Sequence, residues 1–388
     1  MDSAAPLAPN VRVLVSAPTI AAPSGPDTAV SDPAPMALPP GLPADIVRTC
    51  TGAAPVLSDP ADLDRTARAL LDEPDVVAVL LLAPQGGRLP QTEPGVLLGS
   101  LERCCAPDGT DHLLTLLLTA QHPPRARLIV VTGARGGLGA STFLLHLARA
   151  CHARGKRVAI VDADPAGSLG LLMGDAVLPG LRWEDLPADE PAFRPEKLVA
   201  ALPAWLGMPV LTGDGRGGAR EPKQLRPALD ALRAEHDLVM IDLPRSIAPP
   251  ADATVLLVSG LDLRSAVAAE ALATRLRAYA APVGTASGEP GAAATQDQVP
   301  PDLRTKPGVP ARVYTVARKV GEDVTPDELA LMTRTEIIAV LPHERAVAQR
   351  IARGDDPTRG RGALRTQARS VAERLLADGG SHPEAAPW

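Results

Sequence analysis

Aromatic residues are scarce in this 388-residue chain, with three Trp, two Tyr and two Phe, and lysine is scarce beside arginine. Four cysteines, at positions 50, 104, 105 and 151, form no C-x-x-C pair and no zinc-ligand spacing. The adjacent Cys104 and Cys105 suit reduced thiols better than a disulfide framework. Positive charge is not in excess either: the formal net charge is −6, which argues against a chain-wide nucleic-acid footprint. Long apolar runs are missing. Val76–Ala83 and Leu113–Ala120 are the longest, far short of the roughly 20 residues of a membrane span. The first residues carry no basic n-region and no apolar h-region, so no signal peptide is expected. These absences predict a cytoplasmic protein without a membrane helix.

Glycine and proline are plentiful, at 33 and 42 residues, and they punctuate the chain. Residues 1–44 are rich in proline and alanine and read as mostly flexible, with one strand-like run at Val11–Val15. Residues 45–125 carry a helical pattern over Asp62–Glu73, a strand at Val76–Ala83 and an apolar helix or strand over Asp111–Ala120. They fit a small, degraded α/β region or, alternatively, a linker with two apolar helices. Residues 126–378 alternate apolar strands with amphipathic helices, the pattern of an α/β domain built on a doubly wound, mostly parallel sheet. Inside it, residues 281–310 lack periodicity and read as a disordered surface insertion; residues 379–388 read as a flexible tail. The last helix, Ala363–Ala377, gathers Leu364, Ala368, Val371 and Leu375 on one face and is expected to pack on the core. Trp183 is expected to pack its turn onto the domain, and His236 to lie in a turn or at the surface.

The chemistry concentrates between Leu128 and Pro165. An apolar strand runs into Gly133-Ala-Arg-Gly-Gly-Leu-Gly139, then Ala140, Ser141, Thr142 and a helix; a second strand ends in Asp162-Ala-Asp164. Four glycines in seven residues let a backbone wrap an anion at a helix N-terminus. The usual phosphate loop reads G-x-x-x-x-G-K-S/T. Here the lysine position is Ala140, while the hydroxyl of Ser141 is kept. A third apolar strand, LVMID, ends in Asp242 and is followed by Leu243-Pro244-Arg245.

The segment Arg135–Ser141 resembles the deviant phosphate loop of the MinD/ParA family, K-G-G-x-G-K-S/T, with Arg135 at the first lysine and Ala140 at the second. VDADPAG, LVMIDLP and the late IIAVLPHERAVAQRIARGDDP extend the resemblance over about 126–378. Within the family, the loop G-G-x-G-A-S-T looks like that of CpaE/TadZ-type pilus-assembly proteins. The PGLRW turn and Asp242-Leu-Pro-Arg245 are similar to the actinobacterial septum-site-determining Ssd type. The resemblance implies ATP and Mg²⁺ as ligands. Gly133, Gly136, Gly137, Leu138, Gly139, Ala140, Ser141 and Thr142 would cradle the nucleotide, and Pro342 would lie by its base. Ser141, Asp162 and Asp242 would serve the metal, Asp164 would orient the attacking water, and Arg135 would reach across a dimer as a trans cation. In pilus-assembly relatives a receiver-like domain occupies the place of residues 45–125, but Val76–Leu82 ends in Ala83-Pro84 rather than a phosphate-accepting Asp.

An ATP-dependent homodimer is expected. It would be a MinD-like spatial regulator of septum or secretion/pilus machinery, at most a weak ATPase because Ala140 lacks the lysine's charge, recruited to septum or pole by protein partners. An active ParA-type ATPase that partitions DNA, or a scaffold that binds no nucleotide, are the alternatives. An iron–sulfur carrier would need paired cysteines and a bacterial tyrosine kinase a C-terminal tyrosine cluster; the tyrosines are Tyr279 and Tyr314 alone.

Overall fold

The computed structural model describes residues 10–16, 37–84, 95–166, 169–174, 179–188, 190–219, 222–250, 252–280 and 312–378. The expected insertion at 281–310 and the tail from 379 lie outside the described residues. The chain divides into two compact units that part between Pro124 and Arg125.

The first unit is a four-stranded parallel sheet. Its strands are β1 (Val11–Ser16), β2 (Val56–Ser58), β3 (Ala78–Ala83) and β4 (Val96–Ser100), in the order β2-β1-β3-β4. Helices α1 (Ala44–Thr51), α2 (Leu63–Leu71), α3 (Leu101–Cys104) and α4 (Gly109–Gln121) surround it. The strands are apolar almost throughout because both faces are covered. Val11, Val13, Val15, Leu80 and Leu82 face Val47, Leu101, Leu113 and Leu117. Leu14, Val79 and Leu81 face Leu63, Ala67 and Leu70 on the other side. This is a folded α/β unit, not a linker, and it begins with β1 in the middle of its sheet rather than at residue 45. The apolar segment 111–120 is helical, within α4. The strand order 2-1-3-4 is that of flavodoxin-like sheets, yet β1 closes on Ser16 and β3 on Ala83, so neither offers a carboxylate at its end.

The second unit holds eight strands in the order β12-β11-β10-β5-β9-β6-β8-β7. They are β5 (Arg127–Gly133), β6 (Val158–Asp162), β7 (Ala204–Trp205), β8 (Met208–Leu211), β9 (Leu238–Asp242), β10 (Thr254–Gly260), β11 (Val313–Arg318) and β12 (Glu336–Leu341). All pairings are parallel except the β7–β8 hairpin. The connecting helices are α5 (Ala140–His152), α6 (Leu169–Leu172), α7 (Pro195–Ala201), α8 (Pro222–Glu235), α9 (Leu263–Ala280), α10 (Pro326–Thr333), α11 (Arg345–Ala352) and α12 (Ala363–Asp378). The inner strands are buried on both faces, which explains runs such as Leu128–Val131, Val158–Val161 and Leu238–Ile241. From β5 the chain crosses through α5 to β6 on one side, while β10, β11 and β12 build the other side. Strand order therefore reverses at β5, and ligand sites of open α/β sheets form at the carboxyl ends beside such a reversal. Gly133, Asp162, Asp242, Gly260, Arg318 and Leu341 all end their strands on that edge.

Helix α12 packs along α5 with Leu364, Ala368, Val371 and Leu375 buried, as its spacing predicts. Trp183 is buried too. His236 departs from expectation. It is buried, its Nδ1 lies 2.8 Å from the carbonyl of Leu232, and burial lowers its pKa, so it serves as a neutral plug at the end of α8. No helix among the described residues is long and apolar enough to cross a membrane.

The β7–β8 hairpin turns on Leu206 and Gly207, both in the left-handed region with φ of 52° and 84°. Two such residues make a type I′ turn, which favours Asn-Gly and penalises a leucine. Leu206 is also exposed. Leu206→Asn should stabilise the protein by about 0.5–1 kcal/mol. Urea unfolding checks this, and a midpoint that falls would contradict the turn assignment.

Candidate functional site

The loop after β5 is shaped by its glycines. Gly137 and Gly139 have φ of 79° and 80°, a conformation costly for other residues. Gly133 is needed for closeness: a Cβ there would lie 2.9 Å from the Arg135 carbonyl. Gly139 is the N-cap of α5, and its carbonyl accepts the first helical bond from Phe143 N–H at 2.9 Å. Leu138 and Thr142 are buried, Ala140 packs against the core, and Gly136 and Gly137 have open space where a side chain would stand. A backbone turned this way at the start of a 13-residue helix presents N–H groups to an anion.

Carboxylates stand at the neighbouring strand ends, Asp162 on β6 and Asp242 on β9, with Asp164 two residues past β6. Strands β6 and β9 are in register, so Asp162 and Asp242 are direct ladder partners, and Asp242 also pairs with Val131 of β5. The Ser141 hydroxyl, on the first turn of α5, stands near enough to the Asp242 carboxylate to favour its ionised form. Burial pushes Asp242 up to a pKa of about 7; the nearby Ser141 hydroxyl pulls it down, and the negative charges of Asp162 and Asp164 push it higher. A carboxylate so placed favours a cation over its own charge. Hard oxygens from a hydroxyl and a carboxylate at a helix start form a donor set suited to Mg²⁺.

Asp162 is different. It is fully buried, and its carboxylate accepts from the backbone N–H of Asp164 at 3.1 Å, from that of Leu169 at 2.9 Å and from the Thr212 hydroxyl at 2.8 Å. Its carbonyl accepts from Trp183 Nε1 at 2.7 Å. Burial still outweighs these bonds and raises its pKa. Asp162 thus holds the loop beyond β6 rather than standing open to a ligand. Asp164 accepts from the N–H of Ala166 at 2.9 Å and is partly exposed at the same edge.

Arg135 is tied within its own chain. Its Nε donates to Ser265 Oγ at 2.7 Å and its Nη2 to Asp262 Oδ2 at 3.0 Å. Asp262 precedes α9, and its carboxylate also accepts from the N–H and hydroxyl of Ser265. Arg245 is exposed. Pro342 lies just past β12, three strands from β5. The carboxyl edge therefore gathers Gly133, Gly136, Gly137, Leu138, Gly139, Ala140, Ser141, Thr142, Asp162, Asp164 and Asp242, with Pro342 farther along. Sequence reasoning missed Thr212, which steadies Asp162, and Asp262 and Ser265, which hold Arg135. It also missed Arg318, whose guanidinium lies against Gly139: a Cβ on that glycine would be 3.5 Å from Nη1. No local pattern marked these residues, because only the sheet order brings them to the loop.

Over 243 residues the chain is 32% identical to an uncharacterized protein of Mycobacterium tuberculosis (strain H37Rv), covering 60% of this chain and 68% of that one. It is 35% identical over 130 residues to the chromosome-partitioning ATPase Soj of Thermus thermophilus, covering 32% of this chain and 49% of the relative. Among solved structures it is similar to a ParA family ATPase from Chlorobium tepidum, with a TM-score of 0.49 and 14% identity over 64% of this chain and 99% of that one. The sequence profile of the CobQ/CobB/MinD/ParA nucleotide binding domain matches residues 129–358. With that match spanning more than half of its length, the chain belongs to the CobQ/CobB/MinD/ParA nucleotide-binding domain family.

Proposed function

We propose that the carboxyl edge of the larger sheet binds ATP with Mg²⁺, and that the protein is a MinD-like spatial regulator of division-septum or secretion/pilus machinery. ATP would act as a dimerisation signal with little or no hydrolysis. One observation carries this reading: the glycine cradle persists, with Ser141 beside the Asp242 carboxylate, in a loop whose lysine is Ala140. Backbone N–H groups of Gly136 to Thr142 would hold the phosphates. Ser141 and Asp242 would hold the metal, which supplies positive charge to the phosphate oxygens when bound. Asp162 would position Asp164 through the bond from Asp164 N–H, leaving Asp164 to orient water. Loss of a preorganised charge at residue 140 costs on the order of 10²–10³ in turnover while sparing the backbone cradle. Arg135 would need to exchange Asp262 and Ser265 for a partner's phosphate before acting in trans.

The test is calorimetric titration of the full chain with ATP and ADP, with and without Mg²⁺, beside steady-state phosphate release and sedimentation. Micromolar, Mg²⁺-dependent ATP binding that promotes a dimer, with near-zero turnover, is the expected result. Turnover of roughly one per second or faster, the kinase range, would contradict the slow-hydrolysis reading; absence of binding would leave a scaffold. DNA partitioning is the second reading, favoured by the match to Soj of Thermus thermophilus. ATP-dependent retardation of DNA that weakens steeply with salt would support it.

A further inference from the structure

A loop that binds phosphates without its lysine still faces a concentrated negative charge. Two nearby arginines are poor substitutes: Arg135 is engaged by Asp262 and Ser265, and Arg245 is exposed on the loop after β9. Arg318 is placed otherwise. It closes β11, two strands from β5, and reaches back over the end of β10 to lay its guanidinium against Gly139. A Cβ on Gly139 would lie 3.5, 3.7 and 4.0 Å from Nη1, Cζ and Nη2, so the whole group packs on the glycine. Nη1 is buried and has no hydrogen-bond acceptor among the described residues. Glu344 acts on Arg318 through its charge, but the Glu344 carboxylate is already an acceptor for the backbone N–H of Leu364. A buried donor nitrogen with no acceptor, here on a half-buried guanidinium, is costly and in native structures calls for a reason.

We infer that Arg318 is the phosphate-binding cation of this site, delivered from the end of β11 in place of the lysine missing at position 140. The inference rests on the ATP-site reading above and names the group that gives that site its affinity. An anion held by the loop N–H groups beside Gly139 would give Nη1 its acceptor. Arginine suits the task because its fork meets phosphate oxygens in pairs and it stays charged when buried. Glycine is required at 139 by its φ, since a Cβ there would make only ordinary van der Waals contact with the guanidinium.

Titration of ATP, ADP and adenosine into the full chain, with and without Mg²⁺, tests this for the wild type, Arg318→Gln, Arg318→Lys and the double variant Arg318→Gln/Ala140→Lys. Arg318→Gln should weaken ATP and ADP binding about 10- to 100-fold, the range for a lost charge-assisted bond. Adenosine binding should change less than threefold, Arg318→Lys should regain part of the loss, and Ala140→Lys should restore most of it. Unfolding curves without nucleotide should show Arg318→Gln as stable as the wild type or more so, since it removes the orphaned charge. Equal ATP affinity in wild type and Arg318→Gln overturns the inference and leaves the ATP site intact. An equal loss for adenosine and ATP overturns it too, by assigning Arg318 to the base. Wild type that binds none of these ligands defeats the ATP-site reading itself.

Discussion

Asp242→Asn should make the protein more stable at alkaline pH while removing its Mg²⁺-dependent nucleotide binding. The carboxylate sits among like charges, with Asp162 opposite it in the ladder and Asp164 close by, and only the Ser141 hydroxyl favours its ionised form. Its folded pKa of about 7 exceeds the ordinary 3.8. The stability this group allows is therefore fully present below about pH 4 and is lost as pH rises through about 7. By pH 8 the wild type gives up about 2–4 kcal/mol, at 1.36 kcal/mol per pKa unit with a discount for the partly exposed side chain. The amide never ionises and avoids that loss. Differential unfolding at pH 4 and pH 8 should show nearly equal midpoints at the lower pH. At the higher pH the variant should melt later, by on the order of 10 °C. A variant that is less stable at both would contradict the crowded-carboxylate picture. A site that trades stability for binding is a familiar pattern.

Asp162→Ala should do the opposite. This carboxylate ends the strand beside that of Asp242, yet three protein donors hold it, and Trp183 Nε1 holds its carbonyl. Truncation strands the Leu169 N–H and the Thr212 hydroxyl in a buried place and frees the chain that carries Asp164. We expect a loss of about 3–5 kcal/mol, measured by urea unfolding at pH 7. Weaker Mg²⁺–ATP binding would follow from the loosened loop. If Asp162→Ala unfolds at the wild-type midpoint but loses metal-dependent binding, then Asp162 is a ligand and the structural role assigned to it is wrong. Two aspartates at one ladder position thus answer mutation with opposite signs.

Much of this was legible in the sequence for a physical reason. Strands covered on both faces leave continuous apolar runs, so LIVV, VAIV, LVMI and TVLLV announced a parallel sheet before its order was known. The glycine loop was legible because positive φ and close backbone approach leave only glycine at Gly133, Gly137 and Gly139. Short elements were not. β2 and β7 span three and two residues, too few for a period to emerge, and α1 has a single turn of apolar residues beside prolines. The charge that answers Ala140 could not be read at all, since Arg318 lies 178 residues away and meets the loop only because β10 lies beside β5 and β11 beside β10. His236 looked like a turn residue, and its burial depends on the carbonyl of Leu232 accepting its ring.

The most direct test of the central claim is electron spin resonance of Mn²⁺, as a stand-in for Mg²⁺, titrated with ATP into the full chain and into Asp242→Asn. The account predicts a bound Mn²⁺ signal in the wild type that appears with ATP and is absent in the variant, although the variant stays folded. A bound signal of equal strength in both proteins would mean that Ser141 and Asp242 do not hold the metal, and the site assigned here would be wrong.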